Sequence, residues 1–249
     1  SRRQRQDVYK RQMLNKETMR GDAVMTFTDR LFERVKPIWQ SYLDHPFVKG
    51  IGDGSLDQEK FKHWLKQDYI YLIDYTRLFA IGVTKASDLE MMTTFGELVA
   101  GTLNTEMALH RQYAARFGIS EQELEETKPA STTLAYTSYM LNLAQRGDIE
   151  NVIAAVLTCT WSYQYIGEAL SQIEGAIDHP FYGEWIEMYS SEAFTTFKDD
   201  VVRIMNQVTE GMPEEKLRAL EDIVVYTSYF EYMFWDMAEN LETWPVPYK

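Results

Sequence analysis

The stretch FKHWLKQDYIYLIDYTRLFA, residues 61–80, decides the fold class. Its apolar side chains recur at steps of three and four residues from Phe61 through Leu72 to Phe79, which is the spacing of one face of an α-helix. Asp57 precedes the stretch and can cap the helix with its carboxylate. A long helix with one apolar face needs partner helices to bury that face, so the stretch predicts a helical bundle.

Segments with the same spacing fill most of the remaining chain. Further helices are predicted over residues 27–42, 87–117, 131–146, 148–174, 179–189, 191–209 and 213–239. The sequences beginning at Ser87 and Ser120 have the form of capping boxes, and Gly118 follows a predicted helix end. Strand signals are nearly absent. We therefore expect an all-α, single-domain helical bundle.

The sequence Asp-His-Pro-Phe occurs twice, at residues 44–47 and 178–181. Both copies precede predicted helices, and proline is favoured in a first helical turn. We interpret the repeat as one kind of helix entry used twice. A duplication of the whole bundle about a pseudo-twofold axis is the alternative.

The net charge of the 249-residue chain is −13, whereas residues 1–20 carry +5. An acidic body disfavours binding to nucleic acids and to anionic membranes. We expect residues 1–24 to be a basic, disordered or appended leader, with a transit peptide as the alternative, and residues 25–249 to form the helical domain. A single cysteine, Cys159, fits the reducing cytoplasm.

The histidine positions argue against a metal centre. Di-iron bundles commonly use Glu-x-x-His pairs, and none of the four histidines follows a carboxylate at that spacing. Glu106 and His110 can share a helix face, but we expect a surface pair or a pair that supports other residues from outside. A haem ligand from His45 or His63 has no supporting motif. We expect no metal and no cofactor.

Three residues stand out as candidates for chemistry. Cys159 lies mid-helix, with Tyr163 on the same face and hydroxyl residues around it, which favours a lined pocket over a small buried hydrophobe. Glu231 lies between aromatic residues, where burial would raise its pKa, unless it faces solvent. Asp68 lies within an apolar stripe and needs a donor from Tyr71, Tyr75 or a ligand amine, unless its role is structural.

A thiol, two inward carboxylates and many tyrosines suit a flat, amine-bearing heterocycle. Aromatic residues make up 14% of the chain, which favours a cavity walled by rings. Rings stack on a heterocycle and carboxylates bind its nitrogens, while a thiol beside them suits covalent catalysis.

Seven stretches of this chain, in order and at comparable spacing, resemble the TenA family of thiaminase II or aminopyrimidine aminohydrolase enzymes. They are HPFVKGIGDGSL (45–56), FKHWLKQDYIYL (61–72), EMALH (106–110), AYTSYM (135–140), CTWSYQYIGE (159–168), MYSSEAF (188–194) and YTSYFEYMFWDMA (226–238). The resemblance covers about residues 25–244. Residues 1–24 have no counterpart in the family.

The resemblance implies a fold like that of haem oxygenase, without haem, in a homotetramer. It implies hydrolysis at the pyrimidine methylene carbon, which converts 4-amino-5-aminomethyl-2-methylpyrimidine to the hydroxymethyl pyrimidine used in thiamine salvage. Cleavage of thiamine is the family's other reaction. The implied partners are therefore a small aminopyrimidine or thiamine, with no nucleic acid and no membrane.

The resemblance also implies roles by position. Cys159 matches the family nucleophile, Glu231 its proton donor, Asp68 the residue that holds the substrate's nitrogens, and Tyr71 a tyrosine that makes the thiol more reactive. Positions that bind or stack on the ring are matched by Tyr136, Tyr163, Tyr189 and Phe234. Alternatives are a haem- or metal-dependent oxygenase on the same fold and a non-catalytic pyrimidine-binding or regulatory protein.

Overall fold

The computed structural model describes residues 24–246, so the predicted leader, residues 1–24, lies outside the described part except for its last residue. Within residues 24–246 the chain forms eleven α-helices and one π-helical segment, with no β-strand. They are α1 (Phe27–Asp44), α2 (Pro46–Asp53), α3 (Gln58–Lys85), α4 (Leu89–Gly101), the π segment (Thr102–Glu106), α5 (Met107–Arg116), α6 (Glu121–Glu126), α7 (Ser131–Arg146), α8 (Ile149–Ser171), α9 (Gly183–Ser190), α10 (Glu192–Thr209) and α11 (Glu214–Glu239). The prediction of an all-α bundle is confirmed.

Four helices, α3, α7, α8 and α11, contact one another in every pairing and form the centre of the bundle. Helix α4 packs on α3, α1 packs on α11, and both α9 and α10 pack on α8. Each central helix supplies predicted site residues, including Asp68 on α3, Tyr136 on α7, Cys159 on α8 and Glu231 on α11. Residues distant in sequence are thus brought to one region of the core. No helix in residues 24–246 combines the length and hydropathy that a bilayer crossing requires.

The predicted capping residues set several helix boundaries. The Asp57 carboxylate accepts a hydrogen bond from the Glu59 backbone N–H at 2.8 Å and begins α3. Ser120 caps α6 in the same manner. For α4 the cap is Asp88 instead of the predicted Ser87, because the Asp88 carboxylate accepts from the Met91 N–H at 2.8 Å. Gly118 has a φ of 76°, the left-handed conformation that glycine adopts without steric cost.

The sequence predicts one regular helix from Ser87 to Phe117, and this prediction is wrong at Thr102–Glu106, where the helix is interrupted. The π segment separates α4 from α5, and the Met107 N–H donates to the Thr102 carbonyl five residues earlier. A π-helical turn inserts an extra residue into an α-helix and changes the direction in which the following side chains point. Apolar spacing does not reveal it, since both flanking helices keep an apolar face.

Both Asp-His-Pro-Phe sequences contain the same type of local hydrogen bond, but only the first leads directly into a helix. Nδ1 of His45 accepts from the Phe47 N–H, and α2 begins at Pro46. Nδ1 of His179 accepts from the Phe181 N–H in the same way. There the chain continues as a turn, and α9 begins only at Gly183. The expected helix entry is therefore correct for the first copy alone.

Gly167 allows α8 and α9 to approach closely. A Cβ atom at this position would lie 2.6 Å from the Tyr189 carbonyl carbon and 2.7 Å from its Cβ. Such contacts are too short for any side chain, and the helix backbone cannot move aside without repacking.

We expect Gly167→Ala to lower the free energy of unfolding by about 1–3 kcal/mol, because the added methyl forces α9 away from α8. The control is Gly96→Ala, where no atom lies within 4 Å of the added methyl. That substitution should raise the free energy of unfolding by up to about 1 kcal/mol through helix propensity. Urea unfolding measures both, and equal effects would contradict the close contact.

Candidate active site

An inner cavity of about 320 Å³ lies beside α8, with α3, α9 and α10 around it. Its lining consists of Asp68, Leu72, Tyr75, Glu106, Cys159, Thr160, Tyr163, Tyr189, Phe194 and Phe197. Four predicted site residues therefore line the same cavity: Asp68, Cys159, Tyr163 and Tyr189. Five of the ten lining residues are aromatic, which suits the binding of a flat heterocycle.

Cys159 lines the cavity, and the hydroxyl residues on both sides of it have hydrogen-bond partners within the protein. Thr158 hydrogen-bonds the Thr227 hydroxyl at 2.6 Å, and Thr160 hydrogen-bonds the Tyr75 hydroxyl at 2.8 Å. Burial raises the pKa of the Cys159 thiol well above its ordinary value, and the charge of Glu231 raises it further. The Tyr71 hydroxyl acts in the opposite direction and lowers that pKa. The resting group at neutral pH is a protonated thiol.

Glu231 is buried on α11, with 2% of its surface exposed, so the prediction that it faces inward holds. The Tyr136 hydroxyl donates to its carboxyl oxygen Oε1 at 2.8 Å. Burial raises the pKa of Glu231 to about 8, although the Tyr136 hydrogen bond works in the other direction. The group therefore carries a proton at neutral pH, as a proton donor requires.

Asp68 is also buried, but its partner is none of the predicted donors. Its Oδ2 lies 2.6 Å from Nε2 of His110. Tyr75 donates to the Val156 carbonyl instead, and the Tyr71 hydroxyl lies 3.8 Å from the Met140 sulfur. Spacing within one helix cannot identify a partner that comes from another helix.

The His110 ring is held at both nitrogens. Nδ1 donates to the Glu106 backbone carbonyl at 3.1 Å, so Nε2 and the Asp68 carboxylate share the remaining proton. Burial alone would lower the pKa of His110, but the hydrogen bond and charge of Asp68 outweigh it, and the pKa is raised. His110 therefore supports Asp68 from outside, which is one of the two roles that the sequence analysis expected for the Glu106 and His110 pair. The i, i+4 spacing of Glu106 and His110 was the available signal.

Glu106 and His110 are therefore not a surface pair. His110 orients Asp68 from behind, whereas Glu106 itself lines the cavity. Among residues 24–246 no group of three or more His, Cys, Asp or Glu side chains has an arrangement that could hold a metal ion.

Three predicted residues lie behind the cavity wall and not on it. Tyr71, Tyr136 and Phe234 are absent from the lining and pack on one another. The Tyr71 ring centroid lies 5.2 Å from that of Tyr136 and 6.0 Å from that of Phe234. Glu231 is also behind the wall, near enough to Cys159 for its charge to act on the thiol.

A second, outer cavity of about 940 Å³ adjoins the inner one. The two cavities share the lining residues Glu106, Tyr189, Phe194 and Phe197. The rest of the outer wall is largely apolar and includes Leu98, Leu109 and Met188, with Thr102 and Thr105 from the π segment.

Glu106, which lines both cavities, has a raised pKa. Burial raises this pKa to about 7, and the charge of Asp68 raises it as well, whereas the charge of His110 lowers it.

All four histidines form hydrogen bonds within the protein, including the two weighed as haem ligands. His45 accepts through Nδ1, so Nε2 carries the hydrogen and donates to Asp236 at 2.8 Å. His63 donates through Nε2 to the Glu242 carbonyl at 2.8 Å. Neither His45 nor His63 lines the inner or the outer cavity.

The sequence matches that of the TENA/THI-4/PQQC family over residues 32–241. The chain belongs to this family. A relative from Halalkalibacterium halodurans named aminopyrimidine aminohydrolase is 54% identical, over 88% of this chain and 98% of its own length. A protein of the same name from Helicobacter pylori is 39% identical, over 86% of this chain and 99% of its own. The family predicted from seven short stretches is confirmed.

Solved structures confirm the predicted fold. A TenA homologue from P. horikoshii superposes with a TM-score of 0.80 at 28% identity, over 86% of this chain and 99% of that one. Heme oxygenase-1 from the cyanobacterium Synechocystis superposes with a TM-score of 0.63 at 14% identity, over 87% of this chain and 93% of that one. The second likeness concerns the fold alone.

The raised pKa of Glu231 links stability to pH. The folded protein retains a proton that the unfolded chain releases near pH 4.5, so this contribution is present at low pH and is lost as pH rises through about 8. Glu231→Gln cannot ionise and keeps an acceptor for Tyr136. Between about pH 5 and pH 9 we expect the free energy of unfolding to fall less in this variant than in the unchanged protein. The difference between the two losses should be a few kcal/mol.

Urea unfolding at the two pH values measures the difference. The control is Glu187→Gln, which removes an exposed carboxylate on α9 and should leave the pH dependence unchanged. Identical losses in the Glu231 variant and the unchanged protein would contradict a desolvated Glu231.

Proposed function

We propose that this protein hydrolyses aminopyrimidines at the methylene carbon, converting 4-amino-5-aminomethyl-2-methylpyrimidine to its hydroxymethyl counterpart for thiamine salvage. The observation that carries the proposal is the shared cavity of Cys159 and Asp68, with the protonated Glu231 behind the thiol. The names of the relatives at 54% and 39% identity support the substrate class.

Asp68 and two tyrosines provide the substrate contacts in this proposal. The Asp68 carboxylate, oriented by His110, accepts hydrogen bonds from the exocyclic amine of the pyrimidine. The rings of Tyr163 and Tyr189, with centroids 4.9 Å apart, form an aromatic wall for the heterocycle. Tyr136 and Phe234 contribute from behind the wall, Tyr136 through its hydrogen bond to Glu231.

The first chemical step joins sulfur to the electron-poor pyrimidine ring. A ring nitrogen receives a proton that Glu231 supplies from behind the thiol, while the Cys159 sulfur bonds to a ring carbon. The thiol proton then replaces the one that Glu231 gave away, so no free thiolate has to persist in the buried site. Tyr71 assists, since its hydroxyl lowers the pKa of the thiol.

The second step breaks the bond between the methylene carbon and its leaving group. The electron-rich adduct supplies the electron pair, and the departing nitrogen keeps the pair of the broken bond. Water then adds to the methylene carbon, the carbon–sulfur bond breaks, and aromaticity returns. The net reaction consumes one water and releases the amine.

The same sequence of steps applies to thiamine, in which a thiazolium ring is the leaving group. The inner cavity is too small for both rings, whereas the adjoining outer cavity of about 940 Å³ offers a place for the second. We therefore include thiamine cleavage in the proposed activity.

Replacing the sulfur tests the mechanism. We expect Cys159→Ser to reduce turnover of the aminomethyl pyrimidine by roughly a thousandfold or more, since a serine hydroxyl is a far weaker nucleophile. Binding of the hydroxymethyl product should change by less than about threefold, because the ring contacts remain. Amine release and calorimetric titration measure the two quantities for both substrates.

Full turnover in that variant would exclude the cysteine mechanism. Absence of turnover in the unchanged protein, with pyrimidine binding intact, would favour the non-catalytic pyrimidine-binding alternative. A circular dichroism spectrum of the variant checks its folding.

We also propose a homotetramer. Tyr226, Tyr229 and Met233 lie on one side of α11 and remain about half exposed, and Leu134 on α7 is similarly exposed. Apolar residues grouped on a surface are typical of subunit contacts. Tyr229→Asp should lower the mass measured by light scattering, whereas Leu89→Asp, an exposed apolar residue on α4, should not. A mass unchanged by Tyr229→Asp would exclude this face from the assembly.

The proposed location is the cytoplasm. The single cysteine is the proposed nucleophile, and oxidation of its sulfur would abolish the reaction. A reducing compartment therefore preserves the activity.

A further inference from the structure

Glu106 occupies the boundary between the two cavities and has no role in the steps above. It lines the inner cavity together with Asp68 and Cys159, and it lines the outer cavity together with Leu98 and Leu109. Glu106 is the only charged residue among the four that line both cavities, so it is the charged group nearest to any substituent that extends from one cavity to the other.

The Glu106 carboxyl group has no hydrogen-bond donor among residues 24–246. Its backbone carbonyl accepts from His110, but no described side chain donates to or forms an ion pair with the carboxylate. A carboxylate that faces a cavity without a partner retains its full capacity to bind a ligand group. This distinguishes Glu106 from Asp68, which His110 engages, and from Glu231, which Tyr136 engages.

The charges around the boundary favour a cation. Besides Cys159 and the lining tyrosines, the titratable groups near the inner cavity are Asp68, Glu106, Glu231 and His110, and Glu97 lines the outer cavity. Asp68 and His110 largely neutralise each other, and Glu231 holds a proton at neutral pH. The ionised form of Glu106 is therefore the uncompensated charge of the cavity, and a positive group is its natural complement.

The leaving groups of the proposed reaction are positive groups of this kind. A primary amine on a methylene carbon is an ammonium near neutral pH, and the thiazolium of thiamine carries a permanent charge. Both become neutral when they depart, because the nitrogen keeps the electron pair of the broken bond.

We propose that Glu106 is a specificity residue that binds the positive charge of the leaving group, while the bulk of a larger leaving group lies in the outer cavity. This inference rests on the proposed function and adds the substrate class: pyrimidines whose methylene substituent is cationic. The neutral hydroxymethyl product gains nothing from the contact, so Glu106 favours substrate over product.

The kinetic consequence follows from the fate of the charge. The contact is strongest before the bond breaks and weakens as the leaving group loses its charge, so it contributes to substrate binding and not to the chemical step. Removing the charge of Glu106 should therefore raise KM and should not lower kcat, because the bound substrate loses more stabilisation than the transition state does.

The decisive experiment compares two ligands in the Cys159→Ser background, which prevents turnover. Calorimetric titration at pH 8, above the pKa of about 7 for Glu106, measures the affinity for the aminomethyl and hydroxymethyl pyrimidines. We expect Glu106→Gln to weaken binding of the aminomethyl compound about tenfold or more and to change binding of the hydroxymethyl compound by less than twofold. Glu187→Gln, which removes an exposed carboxylate outside both cavities, should change neither.

The outcomes separate the two proposals. Equal weakening of both ligands, or no weakening of either, overturns the role of Glu106 and leaves the proposed function intact. Failure of both compounds to bind the protein with Glu106 present overturns the proposed function and this inference together. Steady-state rates of Glu106→Gln in the protein that retains Cys159 provide a second readout, in which a large fall in kcat at unchanged KM contradicts the proposal.

Discussion

Desolvation of ionisable groups inside a packed helical core is the constraint on which the rest of the site depends. Water would stabilise the charged forms of Glu231 and Cys159, and its exclusion leaves both groups protonated at neutral pH. A protonated carboxyl group beside a protonated thiol can supply a proton and a nucleophile together. Neither a thiolate nor a carboxylate then has to form in the buried site beforehand. Burial, usually a cost for polar groups, here sets the protonation states that the chemistry needs.

The three acidic residues near the cavities, Asp68, Glu231 and Glu106, differ because their neighbours differ. Asp68 faces an imidazole, Glu231 faces a phenol, and Glu106 faces open space. An imidazole can hold a full positive charge against a carboxylate, whereas a phenol can only donate a hydrogen bond. In the proposed function the same chemical group therefore has three uses within one region: to bind, to donate a proton, and to accept a cation.

Much of the fold was predictable from local patterns, while much of the site was not. Apolar spacing placed Asp68 on the inner face of α3, and the hydroxyl residues around Cys159 indicated a pocket. The partnership of Asp68 with His110 joins residues 42 positions apart, and its geometry depends on how α3 and α5 pack. The absence of Tyr136 and Phe234 from the cavity wall is likewise a property of packing between helices. The likeness to heme oxygenase-1 at 14% identity concerns the fold alone, since one fold can hold different sites.

The π segment makes the length of this part of the chain a structural requirement. Helix α4 buries Phe95, and α5 buries His110 next to Asp68. In an uninterrupted α-helix each residue advances the direction of the side chain by about 100°, so removing the additional residue would rotate one buried face away from its partner. The number of residues in Thr102–Glu106 is thus a structural requirement, and insertions or deletions there are coupled to the orientation of Asp68 across the cavity.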